Sequence, residues 1–317
     1  MEGLKEAKRY ILRAKEIAIS GHSNPDGDSL GSLLSLGLGL ESMGKKVYLL
    51  NQDDIPERYT LLPGIDRVIK TTDKKVDLAI AVDCSTKELL GKNLSVFERA
   101  KSILEIDHHE FRRPFGDIRL INNKTAAVGE LIYLLLRELD IKITKDIAEN
   151  LLTSIVVETN SFRLNNVRPA TFRLCAQLLK SDVDFSKLVD LMYWSKTKES
   201  IILSGLCLAR CKFLANDRLV WSIIRLKDYV KVKGRDYDVD AVINEMRAIR
   251  GVEVAVLFRE QNKEMLRVSL RSKGEINIAN IAEKYGGGGH FDTAGCYIPN
   301  NTKSIKEVLS LVAGHIY

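Results

Sequence analysis

Histidine and carboxylate side chains gather in one short loop near the start of the 317-residue chain. His22, Asp26 and Asp28 lie within seven residues, between an apolar run at 17–20 and a long apolar segment at 30–40. A proline and a glycine in the loop bend the chain, so the three side chains can converge. Imidazole and carboxylate oxygen together are ligands for divalent cations. The stretch predicts a metal site at the carboxyl end of a first strand.

Two further apolar runs of strand length are followed by the same residue types, aspartate and histidine. Asp83 directly follows one of them, and Asp107, His108 and His109 follow the next. Strands that alternate with helices and are apolar on both faces indicate a doubly wound, mainly parallel sheet. Ligands bind outside the carboxyl ends of such strands, so His22 is expected at the same edge. For Asp83 a helix N-cap is the alternative interpretation.

The pattern changes along the chain in a way that predicts two domains. Residues 1–192 are expected to form the α/β metal-binding domain, and 193–212 a helical linker. Residues 213–317 are expected to form a smaller α/β domain. In that part, apolar runs at 252–258 and 265–270 flank a turn and predict a β-hairpin.

The net charge of +6 lies entirely in the second part of the chain. Residues 1–190 hold 28 Lys and Arg against 28 Asp and Glu, whereas 191–317 hold 20 against 14. A basic module beside an acidic metal-binding module favours an anionic substrate held between them. The excess is too small to require long duplex nucleic acid.

The sequence favours a cytoplasmic protein that does not insert into membranes. The N-terminal residues are charged and helix-forming, unlike a signal peptide. No apolar stretch approaches the roughly 20 residues that a membrane-spanning helix needs. Five cysteines are scattered without CxxC spacing, which is typical of a reducing compartment.

The positions of the glycines exclude two common nucleotide-binding motifs and indicate a third type of phosphate-binding loop. Gly37 and Gly39 lie inside a helical run without a third glycine in register, so the dinucleotide-binding fingerprint is absent, and no GxxxxGK[ST] loop occurs. The four glycines at 286–289 precede His290 and can bring backbone N–H groups close to a phosphate. A flexible connector is the alternative interpretation of this loop.

In order and spacing, these motifs resemble those of the DHH/DHHA1 phosphoesterases. The resemblance covers essentially the whole chain, from His22 through Asp83 and the triplet Asp107, His108, His109 to the glycine loop. The chain is most similar to stand-alone members that cleave short RNA, dephosphorylate 3′-phosphoadenosine 5′-phosphate (pAp), or act on cyclic-di-AMP and its linear product pApA.

The resemblance implies two divalent ions, usually Mn²⁺, with Co²⁺ or Mg²⁺ as substitutes. The implied ligands are His22, Asp26 and Asp83 for the first ion, and Asp28, the bridging Asp83, His108 and Glu158 for the second. Asp83, His108 and His109 would form the catalytic set. Asp107 is expected to orient a ligand histidine, and His109 to donate to the scissile phosphate.

The chain departs from the family pattern at two places. Glu158 stands where the family usually has an aspartate, so a shifted second ion, or a water in place of this ligand, remains open. Phe291 follows the glycine-loop histidine where the family usually has proline.

Substrate contacts are expected in the second domain. The resemblance assigns them to Arg271, Gly287, Gly288, Gly289 and His290. A solvated arginine is the alternative for Arg271.

The expected function is hydrolysis of short 5′-phosphorylated oligonucleotides, of pAp, or of both. Cleavage of cyclic-di-AMP is the main alternative activity. A non-catalytic nucleotide sensor is the alternative from another class, and a homodimer remains open.

Overall fold

A computed structural model describes residues 3–289 and 291–316 of the chain. The chain divides into two compact units, Met1–Ser195 and Lys196–Tyr317. Among the described residues, no helix combines the length and apolar character needed to cross a bilayer.

The first unit is built on a six-stranded sheet in which every neighbouring pair is parallel. Its strands are β1 (Glu16–Ser20), β2 (Lys46–Leu50), β3 (Val68–Ile69), β4 (Leu78–Val82), β5 (Ile103–Asp107) and β6 (Ile118–Ile121). They lie in the order β3-β2-β1-β4-β5-β6. The predicted doubly wound parallel sheet is confirmed, and β1 and β4 meet where the strand order reverses.

Helices cover this sheet. They are α1 (Leu4–Arg13), α2 (Gly27–Ser42), α3 (Leu94–Glu98), α4 (Val128–Glu138), α5 (Lys145–Glu158), α6 (Pro169–Leu178) and α7 (Phe185–Val189). The apolar helix α2 is buried on nearly every side and packs against α4 and α5. A Cβ on Gly31 would lie 2.4 Å from the carbonyl oxygen of Asn150, so only glycine allows this approach of α2 to α5.

The second unit has a mixed six-stranded sheet in the order β11-β12-β10-β9-β8-β7. Its strands are β7 (Lys212–Leu214), β8 (Leu219–Ile224), β9 (Val254–Glu260), β10 (Met265–Ser272), β11 (Gly288–Gly289) and β12 (Thr293–Pro299). Its helices are α8 (Lys198–Ala209), α9 (Leu226–Val232), α10 (Val242–Ala248), α11 (Ala279–Glu283) and α12 (Thr302–Ala313). The predicted hairpin is confirmed as the antiparallel pair β9 and β10.

The stretch 193–212 is not one continuous helix. The helical turn Asp190–Trp194 ends at Trp194, and α8 begins at Lys198. Its N-cap is Thr197, whose hydroxyl accepts a hydrogen bond from Ser200 N–H. This N-cap interrupts an otherwise apolar helical pattern. The segment ends in an edge strand, because Lys212 already pairs with Trp221.

Candidate metal centre

The carboxyl ends of three neighbouring strands carry the predicted side chains. His22 lies two residues beyond β1, Asp83 directly follows β4, and Asp107 is the last residue of β5. Because β1, β4 and β5 are adjacent and parallel, these ends lie at one edge of the sheet. This edge, at the reversal of strand order, is where doubly wound sheets bind ligands.

Asp83 leaves its strand in an unusual backbone conformation. Its φ is 58°, in the left-handed region, while its N–H still donates to Ile106 O at 3.0 Å and so extends the pairing of β4 with β5. A non-glycine residue in this region costs on the order of 1–2 kcal/mol. The side chain is nevertheless buried. Strain at a buried carboxylate is typical of a functional position.

The start of α2 positions two more carboxylates. Asp26 is the N-cap of α2, and its Oδ1 accepts from Ser29 N–H at 3.0 Å. Asp28 lies in the first turn and is fully buried. Because α2 approaches α5 so closely, Asp28 lies beside Ser154, whose hydroxyl donates to its Oδ1 at 2.6 Å.

The first group of possible ligands contains His22, Asp26 and Asp83. His22 Nε2 lies 3.7 Å from Asp26 Oδ1 and 3.5 Å from Asp83 Oδ2. The other ring nitrogen, Nδ1, lies 2.8 Å from the carbonyl oxygen of Ser23. This contact fixes the ring with Nε2 toward the two carboxylates.

The second group contains Asp28, His108 and Glu158. His108 Nε2 lies 3.7 Å from Asp28 Oδ2 and 3.6 Å from Glu158 Oε1. Its Nδ1 lies 3.2 Å from the carbonyl oxygen of Thr125. The structure thus brings Glu158, from the end of α5, into the same cluster as the loop that follows β5.

Asp83 connects the two groups, because it belongs to the first and also forms a possible ligand set with His108 and His109. Its Oδ2 faces His22, whereas its Oδ1 lies 3.9 Å from His108 Nε2 and 3.6 Å from His109 Nδ1. A single carboxylate therefore presents one oxygen to each histidine-containing group. This is the arrangement that a ligand shared by two ions requires.

The hydrogen-bonding chemistry of the two histidines fits a bound cation. A carbonyl oxygen can only accept, so Nδ1 of His22 and of His108 carries a proton in these contacts. In a neutral ring, Nε2 then turns a lone pair toward carboxylate oxygens 3.5–3.9 Å away. An ion with bonds of about 2.1 Å can touch two atoms up to roughly 4.2 Å apart. The donor set is therefore suited to divalent cations.

Negative charge is concentrated in this cluster. Burial and the nearby charge of Asp83 raise the pKa of Asp28 to about 7. Burial, followed by the charges of Asp28, Asp26 and Asp83, also raises the pKa of Glu158 well above its ordinary value. Both shifts arise first from burial and then from repulsion among neighbouring carboxylates. Divalent cations would relieve this repulsion.

Asp107 contacts a different histidine from the one that the sequence suggests. The sequence leads us to expect that it orients a ligand histidine. In the structure Asp107 Oδ1 accepts from His109 Nδ1 at 2.7 Å, while His108 is oriented by Thr125 O. The pairing differs because His108 and His109 are consecutive residues at a strand end and point in different directions.

Sequence reasoning missed the residues that hold Asp28. Besides Ser154, Val128 N–H donates to Oδ2 at 2.9 Å and the hydroxyl of Ser32 donates to Oδ1 at 3.1 Å. One signal was available, since Ser32 and Ser154 each lie four residues along a helix from a predicted ligand, Asp28 and Glu158 respectively, and so on the same helix face.

The predicted substrate contacts of the second unit are only partly described. Arg271 donates to Leu270 O at 2.9 Å, and burial, followed by the charge of Arg247, lowers its pKa to about 10. Its guanidinium lies near both Arg247 and the carboxylates of Asp240 and Asp292. His290 lies outside the described residues.

The glycines of this loop have a packing role that the sequence did not indicate. A Cβ on Gly287 would lie 2.1 Å from Gly295 O, and one on Gly289 would lie 2.3 Å from Thr293 O. Both glycines are therefore required by close approach to β12. A Cβ on Gly288, in contrast, would meet no atom within 4 Å.

Two family descriptions match this chain. "DHH family, N-terminal domain" matches residues 16–155, and "DHHA1 domain" matches residues 228–316. The bifunctional oligoribonuclease and PAP phosphatase NrnA of Thermus thermophilus is 30% identical over 290 residues, which cover 90% of this chain and 85% of that protein. The chain belongs to the DHH family. The predicted resemblance is confirmed.

Solved structures show the same fold. An exopolyphosphatase-related protein from Bacteroides fragilis superposes with a TM-score of 0.89 at 21% identity, covering 98% of this chain and 95% of that one. Exonuclease RecJ bound to manganese gives a TM-score of 0.54 at 16% identity, with coverage of 99% and 95%. The fold prediction is confirmed, and the family relationship supports the prediction of a hydrolase.

Proposed function

We propose that this DHH-family chain is a two-metal phosphoesterase that hydrolyses short 5′-phosphorylated oligonucleotides and pAp. The observation that carries the proposal is the carboxylate of Asp83, whose two oxygens face two separate histidine-containing groups. The name of the Thermus relative, an oligoribonuclease and PAP phosphatase, supports the choice of substrates.

The residues of the two groups would each hold one divalent ion. His22, Asp26 and Asp83 would hold the first. Asp28, His108 and Glu158 would hold the second together with Asp83. When bound, the two ions would acidify a water molecule and offset negative charge on the phosphoryl group. A set that mixes imidazole with carboxylate favours Mn²⁺ over Mg²⁺, which prefers oxygen ligands.

His109 would act on the substrate rather than on an ion. Its Nδ1–H donates to Asp107 Oδ1 at 2.7 Å, and Nε2 would be the ring atom that donates to the scissile phosphate. Burial acts to lower the pKa of His109, but the contact with Asp107 outweighs it and raises that pKa. The contact with Asp107 therefore favours the protonated ring, in which Nε2–H would donate to a phosphate oxygen.

The second unit would recognise the anionic part of the substrate. In this proposal residues 1–192 form the catalytic domain, 193–212 the linker and 213–317 the substrate-binding domain. Arg271 would supply positive charge, and the open space beside Gly288 would let a phosphate approach the backbone closely. A cytoplasmic location and the absence of long duplex binding remain predictions.

One chromatographic assay tests the proposal. Purified protein with Mn²⁺ is given pApA, pAp, a five-residue RNA and cyclic-di-AMP under identical conditions. We expect mononucleotides from pApA and the short RNA, release of phosphate from pAp, and loss of all activity in EDTA. Cleavage of cyclic-di-AMP alone would support the cyclic-dinucleotide alternative. No turnover with Mn²⁺, Co²⁺ or Mg²⁺ would contradict the enzyme and support a nucleotide sensor.

A further inference from the structure

The ring of His109 is held by a chain of contacts that extends beyond Asp107. Asp107 Oδ1 accepts from His109 Nδ1 at 2.7 Å, and its other oxygen, Oδ2, accepts from Arg112 Nε at 3.3 Å. Asp107 is almost fully buried. Its carboxylate is thus held from both sides, by the imidazole and by a guanidinium.

Arg112 is in turn fixed by a second buried acid. Its terminal amino group donates to Glu105 Oε2 at 2.9 Å, and Glu105 Oε1 accepts from Phe115 N–H at 2.8 Å. Glu105 has no exposed surface. A buried carboxylate is strongly unfavourable unless it is paired and hydrogen-bonded, so Glu105 requires Arg112 and the Phe115 amide.

The strand geometry explains why one guanidinium serves two acids. Glu105 and Asp107 lie two residues apart on β5, so their side chains point to the same face of the sheet. The rigid fork of donors on an arginine can contact both carboxylates at once, which a lysine ammonium cannot reproduce. This contact requires Arg112 to reach back onto the strand.

The loop that carries Arg112 is otherwise exposed. Its neighbours Glu110, Phe111, Arg113 and Pro114 are all exposed, whereas the side chain of Arg112 is only 12% exposed. Arg112 therefore turns inward from a surface loop to pair with Glu105 and Asp107.

We propose that Arg112 is a positioning residue for His109, acting through Asp107 and anchored by Glu105. This inference rests on the proposed function, in which His109 Nε2 donates to the scissile phosphate. Arg112 holds the Asp107 carboxylate in one rotamer. That rotamer keeps Oδ1 on Nδ1 of His109, and the direction of Nε2 is thereby fixed.

The test uses a charge-balanced double variant, E105Q/R112M. It removes the buried acid and the guanidinium together, so that no unpaired Glu105 charge is left to unfold the chain. R113M is the matched control, because Arg113 is the exposed arginine next in sequence. Circular dichroism and the melting temperature establish that each variant is folded.

The kinetic readout is a double-mutant cycle with H109A on pApA and Mn²⁺. With His109 present, E105Q/R112M should lower kcat about 10- to 100-fold, the range for lost orienting partners, with little change in KM. In the H109A background the same two changes should lower kcat less than about twofold, because their effect passes through His109. An equal loss in both backgrounds would show a purely structural role and overturn the inference.

A second readout does not need activity. In ¹⁵N-histidine NMR of the metal-free protein, the Nδ1–H of His109 should give a protected signal that H109A removes. E105Q/R112M should abolish this signal, and R113M should retain it. An unchanged signal in E105Q/R112M overturns the inference whatever the enzyme does. Failure of the proposed function would appear separately, as a wild-type protein without turnover.

Discussion

Two regions of the chain bury charge in opposite ways, the network around Arg259 in the second unit and the carboxylate cluster at the sheet edge of the first. In the second unit Arg259 is 2% exposed, and its guanidinium contacts Asp240 at 2.5 Å, Asp236 at 3.2 Å and the Ser269 hydroxyl at 3.0 Å. Opposite charges are paired there within the chain itself.

In the first unit the cluster at the sheet edge collects carboxylates instead. Burial and like charge raise the pKa of Asp28 to about 7, and also raise that of Glu158. The Arg259 network is neutralised within the protein, whereas the carboxylates of the proposed metal centre would be neutralised by bound cations. Removing a charge should therefore lower the free energy of unfolding in the Arg259 network and raise it in the metal-free carboxylate cluster.

The largest effect is expected on activity from D83A. Removing the carboxylate that faces both groups would weaken the binding of both ions. Each bound ion would stabilise the transition state by several kcal/mol. Since each 1.36 kcal/mol of activation free energy changes the rate tenfold, kcat should fall on the order of a thousandfold or more. Steady-state kinetics on pApA measures this. The exposed Asp73 offers a matched control, since D73A should retain wild-type kcat. A D83A variant within tenfold of wild type would contradict the shared-ligand assignment.

The next effect is expected on stability from R259M. The substitution removes the hydrogen bonds that a buried guanidinium makes to Asp236 and Asp240, which should lower the free energy of unfolding by about 1.5–3 kcal/mol. Urea denaturation followed by circular dichroism measures the loss. The control is R267M, because Arg267 contacts Asp236 at 3.1 Å from a more exposed position and should cost no more than about 1 kcal/mol. Equal losses would show that burial does not distinguish these arginines.

The smallest effect is expected from E158Q, which should raise the free energy of unfolding of the metal-free protein rather than lower it. The pKa of Glu158 is raised in the folded state, so its ionised form destabilises the fold once the pH exceeds the unfolded value. In EDTA at pH 8, E158Q should therefore raise the free energy of unfolding, which urea denaturation measures. At pH 4 the gain should vanish. A loss of stability at pH 8 would show that Glu158 is not repelled by its neighbours.

Much of the first unit follows from patterns that the sequence displays directly. The apolar runs before Asp83 and Asp107 identify buried parallel strands, and their shared edge locates the cluster. Motif order then assigns His22, Asp26 and Asp28 to the loop after β1. The short strands β3 and β6 are not predicted from the sequence. They have two and four residues, which is too few to show the alternating pattern that distinguishes a strand from a loop.

The contacts that orient the site could not be read from sequence. Ser154 reaches Asp28 across 126 residues, and Arg112 reaches back to Glu105 from a polar loop. Such partners depend on rotamers and on the close approach of α2 to α5. Likewise, the packing of Gly287 and Gly289 on β12 becomes apparent only when the neighbouring strand is in place.

If Asp83 is shared by two ions, its removal should abolish the binding of both. Metal content per chain, measured by inductively coupled plasma mass spectrometry after dialysis against Mn²⁺, tests this sharing. We expect two ions in the wild type, about one in E158Q, and none in D83A. One ion or fewer in the wild type, or one ion retained in D83A, would contradict it.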